Sequence, residues 1–337
     1  MTARYLVVGG AGFIGSHLVA ALSDAGHECV VFDNLSTGHR AAVPADIRLI
    51  VADLADADAV DRALSLGPWD GVFHLADLSL VGGSMQEPIR YLTTGPGNAG
   101  RLIEACLRHD VGGLVFSTTA NLFGAAGGAP IGEDAVISPG SPYGESKHMV
   151  ERMLHWAAQI HGLSSACLRF FNAAGSDARG RLGEDHTPET HLIPLAIDVA
   201  LGRRPELTVF GTDYPTPDGT CIRDYIHVAD LVSAHLGALA QVACGTPKAV
   251  STCYNIGIGR GYSVREVIAS VERVCGRKVT VRVGSRRAGD PAILVADPAR
   301  IMRETGWAPL YATLDDIVAS ALAWRLAHSD GYGAKAG

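Results

Sequence analysis

The sequence predicts an α/β protein: a doubly wound parallel sheet with helices on both faces, followed by a smaller, discontinuous C-terminal lobe. Two observations support this prediction. In the first half of the 337-residue chain, short apolar runs alternate with amphipathic segments of helical length, which is the pattern of right-handed βαβ units. After about residue 175 the alternation gives way to polar loops and mixed turns. The rest of the chain is therefore predicted to form a separate lobe against the sheet.

The elements follow from the period of the apolar residues and from the turn residues between them. Buried strands are predicted at 5–8, 28–32, 48–51, 71–75 and 113–117. Helices are predicted at 16–25, 57–66 and 97–109, with Pro96 in the first turn of the last one. Two C-terminal helices are predicted at 296–306 and 314–327.

Composition and charge exclude several classes of protein. Hydrophobic residues make up 47% and charged residues 19% of the chain, and the net charge is -7. A nucleic-acid binder usually shows a basic face, so we expect no nucleic-acid partner. The sequence has no uninterrupted apolar stretch of about 18 residues, as a membrane helix needs, so we expect no membrane association.

The seven cysteines, among them Cys244, form no CxxC pair. An odd, scattered set suits a reduced chain, and we expect a cytoplasmic protein. His186 and His191 lie near Glu184 and Asp185. Their spacing fits no zinc signature, so no metal is predicted.

A glycine-rich turn joins the first predicted strand to the first helix. Gly9, Gly12 and Gly15 form a GxxGxxG pattern in VVGGAGFIGSH. Such glycines let the backbone turn tightly and approach a pyrophosphate at the helix N-terminus, where free N–H groups and the helix dipole favour an anion. A turn of this kind can also serve packing alone. Its position between strand and helix nevertheless predicts a Rossmann-like, dinucleotide-binding unit.

Two aspartates follow the next two strands. Asp33 lies 18 residues after Gly15, where a carboxylate can accept hydrogen bonds from an adenosine ribose diol and repel a 2′-phosphate. Asp53 follows the third strand, where it could meet an adenine amino group. The alternative is that both residues only cap strand ends. Together with the glycine turn they predict NAD, rather than NADP, as the cofactor.

A tyrosine and a lysine lie four residues apart in SPYGESKHMV, where a helix is predicted to begin. Tyr143 and Lys147 therefore share a helix face, with Cβ atoms about 5–6 Å apart. An ammonium about 6 Å from a phenol, at an effective dielectric of about 20, lowers the phenol's pKa of ~10 by roughly two units. An oxidised nicotinamide would add more positive charge. The pair predicts a phenolate base beside a cationic cofactor, although YxxxK alone is more typical of a surface tyrosine beside a lysine.

Three hydroxyl residues lie at the predicted end of the fifth strand. Ser117, Thr118 and Thr119 occupy the carboxyl end, where open α/β sheets bind their ligands. A hydroxyl here can share a proton with a sugar hydroxyl and with the tyrosine. Hydroxyl clusters also cap helices, so the position indicates a catalytic role without deciding it.

With these motifs, the chain resembles the UDP-glucose (UDP-galactose) 4-epimerases, in the extended branch of the short-chain dehydrogenases/reductases. The similarity runs from about residue 4 to about residue 325 and includes GGAGFIGSH, FDNLSTG, SPYGESK, LRFFNAAG, VFGTDYPTPDGTCIRDYIHVADL, YNIGIGRGYSV and RRAGDPAILVAD. It implies a Rossmann NAD-binding domain at 1–175, to which segments around 225–240 return. Residues 176–330 would mainly form a UDP-sugar-binding lobe, and residues 331–337 a flexible tail.

By position, the resemblance implies a catalytic triad of Thr119, Tyr143 and Lys147. Thr119 would hydrogen-bond the sugar's 4-oxygen, Tyr143 would take the 4-hydroxyl proton, and Lys147 would hold the nicotinamide ribose. The implied NAD contacts are Gly9, Gly12, Phe13, Ile14, Gly15, Asp33, Asn34, Asp53, Leu54, Leu75, Ala76, Tyr143, Lys147 and Phe170. The implied UDP-sugar contacts are Thr119, Tyr143, Asn172, Phe210, Arg223, Arg287, Asp290 and Leu294. A structural salt bridge is the alternative role for Arg223.

The resemblance implies NAD-dependent C4 epimerisation of a UDP-hexose, UDP-glucose/UDP-galactose being the expected pair, through a transient 4-keto sugar. It also implies a homodimer formed through paired helices. A 4-epimerase of another UDP-sugar (N-acetylhexosamine, pentose or uronate) is the alternative. Leu294 is larger than the residues that suit N-acetylated sugars, which favours plain hexoses.

Two further alternatives differ in chemistry. A 4,6-dehydratase needs an acid and a base directly after Thr119, and the chain has Ala120 and Asn121 there instead. An inactive, regulatory NAD-binding protein is the lesser alternative. It is considered because the chain departs from the family pattern: Asp77 replaces a small residue, Ser79 a lysine and Gly95 an asparagine.

Overall fold

Thirteen strands are found among the residues that the computed structural model describes, which are 2–124, 130–243, 249–287 and 290–333. Seven of them form one parallel sheet: β1 (Arg4–Val8), β2 (Glu28–Asp33), β3 (Arg48–Val51), β4 (Gly71–His74), β5 (Leu114–Thr119), β6 (Ser165–Phe170) and β10 (Ser251–Ile256). The others are β7 (Asn172–Ala174), β8 (Leu207–Phe210), β9 (Ile222–His227), β11 (Gly261–Ser263), β12 (Val281–Gly284) and β13 (Ile293–Leu294).

Ten α-helices lie in the described residues. They are α1 (Phe13–Asp24), α2 (Ala57–Leu64), α3 (Val81–Gln86), α4 (Pro88–Arg108), α5 (Pro142–His161), α6 (Leu192–Ala200), α7 (Val228–Ala243), α8 (Val264–Cys275), α9 (Ala299–Thr305) and α10 (Leu314–Ala327). None of these helices is both long and apolar enough to cross a bilayer.

The large sheet has the strand order β10-β6-β5-β4-β1-β2-β3. Helices α2, α4 and α5 cover one face through a core that includes Leu64, Leu102 and Leu154. Helices α1, α7 and α9 cover the other, with Leu18 and Leu231 at its centre. The order reverses between β1 and β4, which opens a crevice at the carboxyl ends of the strands. The predicted doubly wound α/β fold is confirmed.

The smaller lobe is built from two small sheets. In one, β9 lies between β11 and β13 and also pairs with β7; in the other, β8 pairs with β12 in parallel. A third core, which includes Ile197, Val267 and Ile317, joins α6, α8 and α10. The division into two domains stays a prediction: α7 packs against the large sheet, and β10 extends it beside β6.

The start of α4 was predicted wrongly. The helix begins at Pro88 rather than near residue 97, and Pro96 lies inside it instead of in its first turn. Pro88 takes the first helical position, where a missing N–H costs nothing. Pro96 removes one internal hydrogen bond. The buried face of the helix, with Tyr91 and Leu102, carries the element through that break.

The flexible tail expected at 331–337 stays a prediction, although Tyr332 within it makes hydrogen bonds to the rest of the fold. Tyr332 is half-buried, and its backbone N–H donates to Asp185 over 2.9 Å. Its hydroxyl accepts a hydrogen bond from the backbone N–H of Gly183. Residues 334–337 of the predicted tail, and Cys244, lie outside the described residues.

Candidate active site

The glycine-rich turn connects β1 to α1 as predicted, and its three glycines differ in what constrains them. Gly9 has a φ of 85°, and a Cβ there would overlap the backbone of Ala76. A Cβ at Gly15 would overlap the carbonyl oxygen of Gly9. A Cβ at Gly12 would meet only an ordinary contact at 3.5 Å. Gly12 is the N-cap of α1, so its open side is a cradle that a ligand's phosphates could approach.

The carboxylates expected at the cofactor end are held by backbone donors. Asp33 is 8% exposed and accepts hydrogen bonds from the backbone N–H groups of Ala11 and Leu35. This ties the end of β2 to the glycine turn. Asp53 accepts from the backbone of Ala55 at 2.8 Å and from the Asn34 side chain at 2.7 Å. These two hydrogen bonds, the Ala55 one most, lower the pKa of Asp53.

The other predicted cofactor contacts lie along the same edge of the sheet. Phe13 and Ile14 form the first turn of α1. Leu75 and Ala76 follow β4, and both donate their backbone N–H groups to the Val8 carbonyl. Two further predicted contacts are Leu54, buried after β3, and Phe170, whose Cα is paired with that of Thr119.

The two residues predicted to be reactive, Tyr143 and Lys147, share one stripe of α5. The helix starts with Ser141 as N-cap, whose side chain accepts from the Gly144 N–H at 3.2 Å, and with Pro142 at its first position. Tyr143 and Lys147 are 7% and 4% exposed. The Lys147 Nζ atom lies 5.8 Å from the centre of the Tyr143 ring, so the predicted juxtaposition of phenol and ammonium is present.

Of the three hydroxyls at the end of β5, only Thr119 reaches the tyrosine. The Thr119 side chain lies beside the Tyr143 phenol and acts to lower its pKa. The Ser117 hydroxyl instead pairs with His235 Nε2 at 2.7 Å in the buried core beneath α7. The Thr118 hydroxyl is buried without a hydrogen-bond partner among the described residues. Alternation along the strand separates Thr118 from Ser117 and Thr119. Thr119 differs from Ser117 in being the last residue of β5.

Asp77 contacts Lys147, a neighbour that the sequence motifs did not predict. One carboxylate oxygen lies 2.9 Å from Lys147 Nζ, and the pair is 10% and 5% exposed. Lys147 also donates to the Ser117 carbonyl at 3.1 Å. A Cβ at residue 95 would lie 3.0 Å from an Asp77 oxygen, so Gly95 leaves the space that this carboxylate occupies. The departures from the family pattern at Asp77 and Gly95 are therefore linked, because the missing side chain of one makes room for the carboxylate of the other.

Burial and charge set the protonation of this group. Burial raises the pKa of Tyr143 and Asp77 adds to the rise, which together outweigh the lowering by Lys147 and Thr119. Burial lowers the pKa of Lys147, but Asp77, Tyr143 and Glu151 outweigh it, so that pKa lies above its usual value. His74, buried nearby, has a pKa lowered to about 4, mainly by burial. At neutral pH the site thus holds a phenol, an ammonium and a neutral imidazole.

The residues expected to bind the nucleotide gather around β9 and β13. Arg223 forms an ion pair with Asp290 and donates to the Pro291 carbonyl at 2.8 Å. The Cα of Leu294 is paired with that of Arg223, and Asn172 of β7 is paired with Tyr225. The Arg287 guanidinium lies 4.1 Å from the centre of the Phe210 ring, which is 38% exposed.

A cleft lies between this lobe and the start of α5. It is lined by Val81, Met85, Asn121, Phe123, Gly124, Gly140, Ser141 and Pro291. Asn121 donates its side-chain amide to the Thr119 hydroxyl at 3.2 Å. The Leu294 side chain, 5% exposed, packs in the apolar cluster that includes Leu122 and Phe171.

Comparison with known proteins is consistent with this geometry. Residues 5–257 match the model of the NAD dependent epimerase/dehydratase family. The chain is 47% identical over 321 residues to a UDP-glucose 4-epimerase of Azospirillum brasilense, covering 95% of this chain and 91% of that protein. The family resemblance found in the sequence is confirmed.

Solved structures agree with these matches. A UDP-glucose 4-epimerase from Brucella ovis, in complex with NAD, is 42% identical, with a TM-score of 0.90 over 95% of this chain and 98% of that one. A UDP-glucose 4-epimerase from Bifidobacterium longum, in complex with NAD+ and UDP, is 32% identical, with a TM-score of 0.91 over 97% and 99% of the two chains.

Proposed function

The chain belongs to the NAD dependent epimerase/dehydratase family, and on that premise we propose that it inverts C4 of a UDP-hexose, interconverting UDP-glucose and UDP-galactose with bound NAD. The observation that carries this proposal is the buried group of Thr119, Tyr143 and Lys147 at the carboxyl end of β5. NAD, when bound, supplies the reversible oxidation at C4, by way of a 4-keto sugar. It is regenerated in each cycle and needs no net supply.

Each member of the catalytic group has a distinct task. Tyr143 accepts the proton of the 4-hydroxyl and returns it at the end of the cycle. Thr119, beside the phenol, orients that proton and the sugar's 4-oxygen. Lys147 supplies the fixed positive charge that favours the phenolate. Because burial and Asp77 hold the pKa of Tyr143 high, a second positive charge beside the phenol is needed, and an oxidised nicotinamide supplies it.

The residues present fit NAD. The open side of Gly12 at the start of α1 suits a pyrophosphate, and Asp33, fixed by two backbone N–H groups, suits a ribose diol. Asp53 and Asn34 form a hydrogen-bonded pair at the same edge. The other residues proposed to contact NAD are Gly9, Phe13, Ile14, Gly15, Leu54, Leu75, Ala76, Tyr143, Lys147 and Phe170.

The nucleotide of the substrate is proposed to bind at the smaller lobe. Arg223 and Arg287 supply guanidinium groups for the diphosphate. Asp290 holds Arg223 in place and can accept from a uridine ribose hydroxyl. Phe210 offers an exposed ring beneath Arg287. A firm grip here, with the sugar held loosely, lets the 4-keto sugar present both faces to the cofactor. Asn172 and Leu294 complete the proposed contacts.

The alternatives differ in how well the site accommodates them. The chain lacks the acid and base that a dehydratase needs, since Ala120 and Asn121 follow Thr119 in a short 3-10 helix. Other UDP-sugars are alternative substrates to UDP-glucose and UDP-galactose. The bulk of Leu294 favours plain hexoses over N-acetylated ones. A regulatory protein without activity would have no use for a hydroxyl, a phenol and an ammonium buried side by side.

We also propose a cytoplasmic homodimer. Met149, Trp156 and Ile160 recur at helical spacing on α5 and are 39%, 54% and 66% exposed, which gives an apolar stripe beside α4 for a second copy. Cys167 and Cys253 lie opposite each other on β6 and β10 and are free thiols, as a reducing compartment favours.

The test of function is product formation without added cofactor. Purified protein incubated with UDP-galactose is expected to yield UDP-glucose, separated by chromatography, because the cofactor stays bound. The UDP-N-acetylhexosamines and UDP-pentoses are run in parallel and define the substrate range. The enzyme proposal fails if none of these sugars is inverted at C4, even with NAD supplied. A 4-keto-6-deoxy product would assign the chain to the dehydratases.

A second prediction concerns the Asp77 carboxylate. Asp77→Asn removes its charge and keeps its shape, so the pKa of Tyr143 falls. We expect the part of the pH profile in which kcat rises with pH to move to lower pH. Asp58→Asn, at an exposed position on α2, is the matched control and should leave the profile in place. A rising part that stays fixed, or moves to higher pH, would show that Asp77 does not act on the base.

A further inference from the structure

The loop before α6 gathers four metal-ligating side chains that the sequence spacing did not suggest. Glu184, His186, Glu189 and His191 each direct one ligand atom to a common region, and these atoms all lie within 4.8 Å of one another. His186 Nδ1 is 3.3 Å from Glu184 Oε1 and 3.7 Å from Glu189 Oε1. His191 Nδ1 contacts Glu184 Oε1 and lies 3.8 Å from Glu189 Oε1.

Hydrogen bonds within the cluster account for only part of this convergence, since His191 Nδ1 is hydrogen-bonded to Glu184 Oε1. The Glu184 and Glu189 side chains are 6% and 9% exposed. His186 Nδ1 and Glu189 Oε2 are buried and have no hydrogen-bond partner among the described residues. Leaving such groups unpaired is costly. A buried imidazole nitrogen and a buried carboxylate oxygen left without partners in such a cluster indicate that a ligand satisfies them.

We propose that Glu184, His186, Glu189 and His191 bind a divalent transition-metal ion of the zinc class in a closed, structural site. In tetrahedral coordination at about 2.0–2.1 Å, neighbouring donor atoms are about 3.3 Å apart. Three separations in the cluster, 3.3, 3.7 and 3.8 Å, are close to this value. The hydrogen-bonded His191 and Glu184 atoms are closer and would move apart to admit the ion. Imidazole and carboxylate ligands suit zinc. Two carboxylates and two neutral imidazoles also balance the ion's charge.

Surrounding contacts hold the ligands in position. The Glu189 carboxylate is fixed by the backbone: its Oε1 atom accepts hydrogen bonds from the N–H groups of Thr190 and His191 at 2.8 and 3.0 Å. The neighbouring Asp185 is held by His39, which bonds its carbonyl at 2.8 Å, and by the Tyr332 N–H. Such outer contacts are what a metal site needs to fix its ligands.

The site would fasten this loop to the cofactor end of the fold. The His186 ring packs edge-on against Phe13, with ring centres 6.4 Å apart, and Phe13 begins α1 directly after the glycine turn. His191 is the N-cap of α6 in the smaller lobe. An ion held between these residues therefore links α6 to the start of α1. The His191 side chain is 55% exposed, which leaves a path for the ion to enter.

The experiment measures zinc bound by the full-length protein. The purified chain is stripped with a chelator, loaded with Zn²⁺ and dialysed, and its metal content is determined by mass spectrometry. We expect about one zinc per chain, the stoichiometry of a closed four-ligand site, and a higher thermal midpoint in the zinc-loaded form. Cobalt loading should give the visible absorption spectrum of tetrahedral Co²⁺.

Ligand variants separate this site from adventitious binding. His191→Gln, at the most exposed ligand, should fold and should weaken zinc binding by more than the roughly 10–100-fold that loss of an outer contact costs. His155→Gln, an exposed histidine on α5, is the matched control and should bind zinc as the parent does. Equal zinc retention by the His191 variant and the parent would overturn the proposal. So would a parent that binds no zinc, in which case protonated imidazoles pair with the carboxylates instead.

Discussion

Tyr143→Phe is expected to lower kcat by about 10²–10⁴-fold, the range that a positioned general base contributes. The change removes one hydroxyl from a ring that is 7% exposed, so the packing of α5 is preserved. Thr119 and Lys147 stay in place, but neither can accept the 4-hydroxyl proton: Thr119 is a far weaker base than a phenolate, and Lys147 is held charged by Asp77. The measurement is turnover of UDP-galactose at saturation.

The control separates chemistry from binding and folding. UDP affinity, measured by calorimetry, should change little, because the nucleotide is proposed to bind at the smaller lobe rather than at the phenol. Tyr254→Phe loses a hydrogen bond to Glu304 at 2.9 Å. Tyr254 packs on the opposite face of the sheet from α5, so this variant should keep its turnover. A Tyr143→Phe protein that still turns over at the parental rate would remove Tyr143 from the catalytic group.

Local patterns predicted most of the fold because they act within a few residues of one another. The strand at 48–51 and the helix at 314–327 were predicted with the bounds that the structure shows. The beginning of α4 was missed because a local rule, that proline opens a helix, also fits Pro88. Sequence alone does not say which of two prolines begins the helix. Burial of Tyr91 against the core decides it.

The candidate site divides in the same way. The i, i+4 spacing of Tyr143 and Lys147 is a local feature, and the structure places them as predicted. The contact of Asp77 with Lys147 joins residues 70 positions apart (147 − 77), and no local period reveals it. The only signal was the pair of departures at Asp77 and Gly95, which become intelligible once the missing side chain of Gly95 is seen to leave room for the carboxylate.

A buried ion pair anchors the reactive helix to the sheet. Glu151 continues the stripe of Tyr143 and Lys147 by one more turn of α5, and Arg169 lies on β6. Their side chains are each 5% exposed, with Arg169 donating to both Glu151 oxygens at 2.7–3.2 Å. Glu151 also contributes to the raised pKa of Lys147. The pair therefore links the stability of the helix to the charge of Lys147, for which we propose a catalytic role.

Arg169→Met is expected to destabilise the protein by about 3–5 kcal/mol, because it leaves the Glu151 carboxylate buried without its partner. Chemical denaturation monitored by circular dichroism measures this. Glu151→Leu combined with Arg169→Met removes both charges and should recover most of the loss, since an apolar pair of similar volume is often as stable as a buried ion pair. Arg273→Met is the exposed control: its pair with Asp315 is 60% and 46% exposed, so the loss should stay within about 1 kcal/mol. If Arg169→Met is as mild as that control, the ion pair does not anchor α5, and the apolar contacts of the helix must hold it alone.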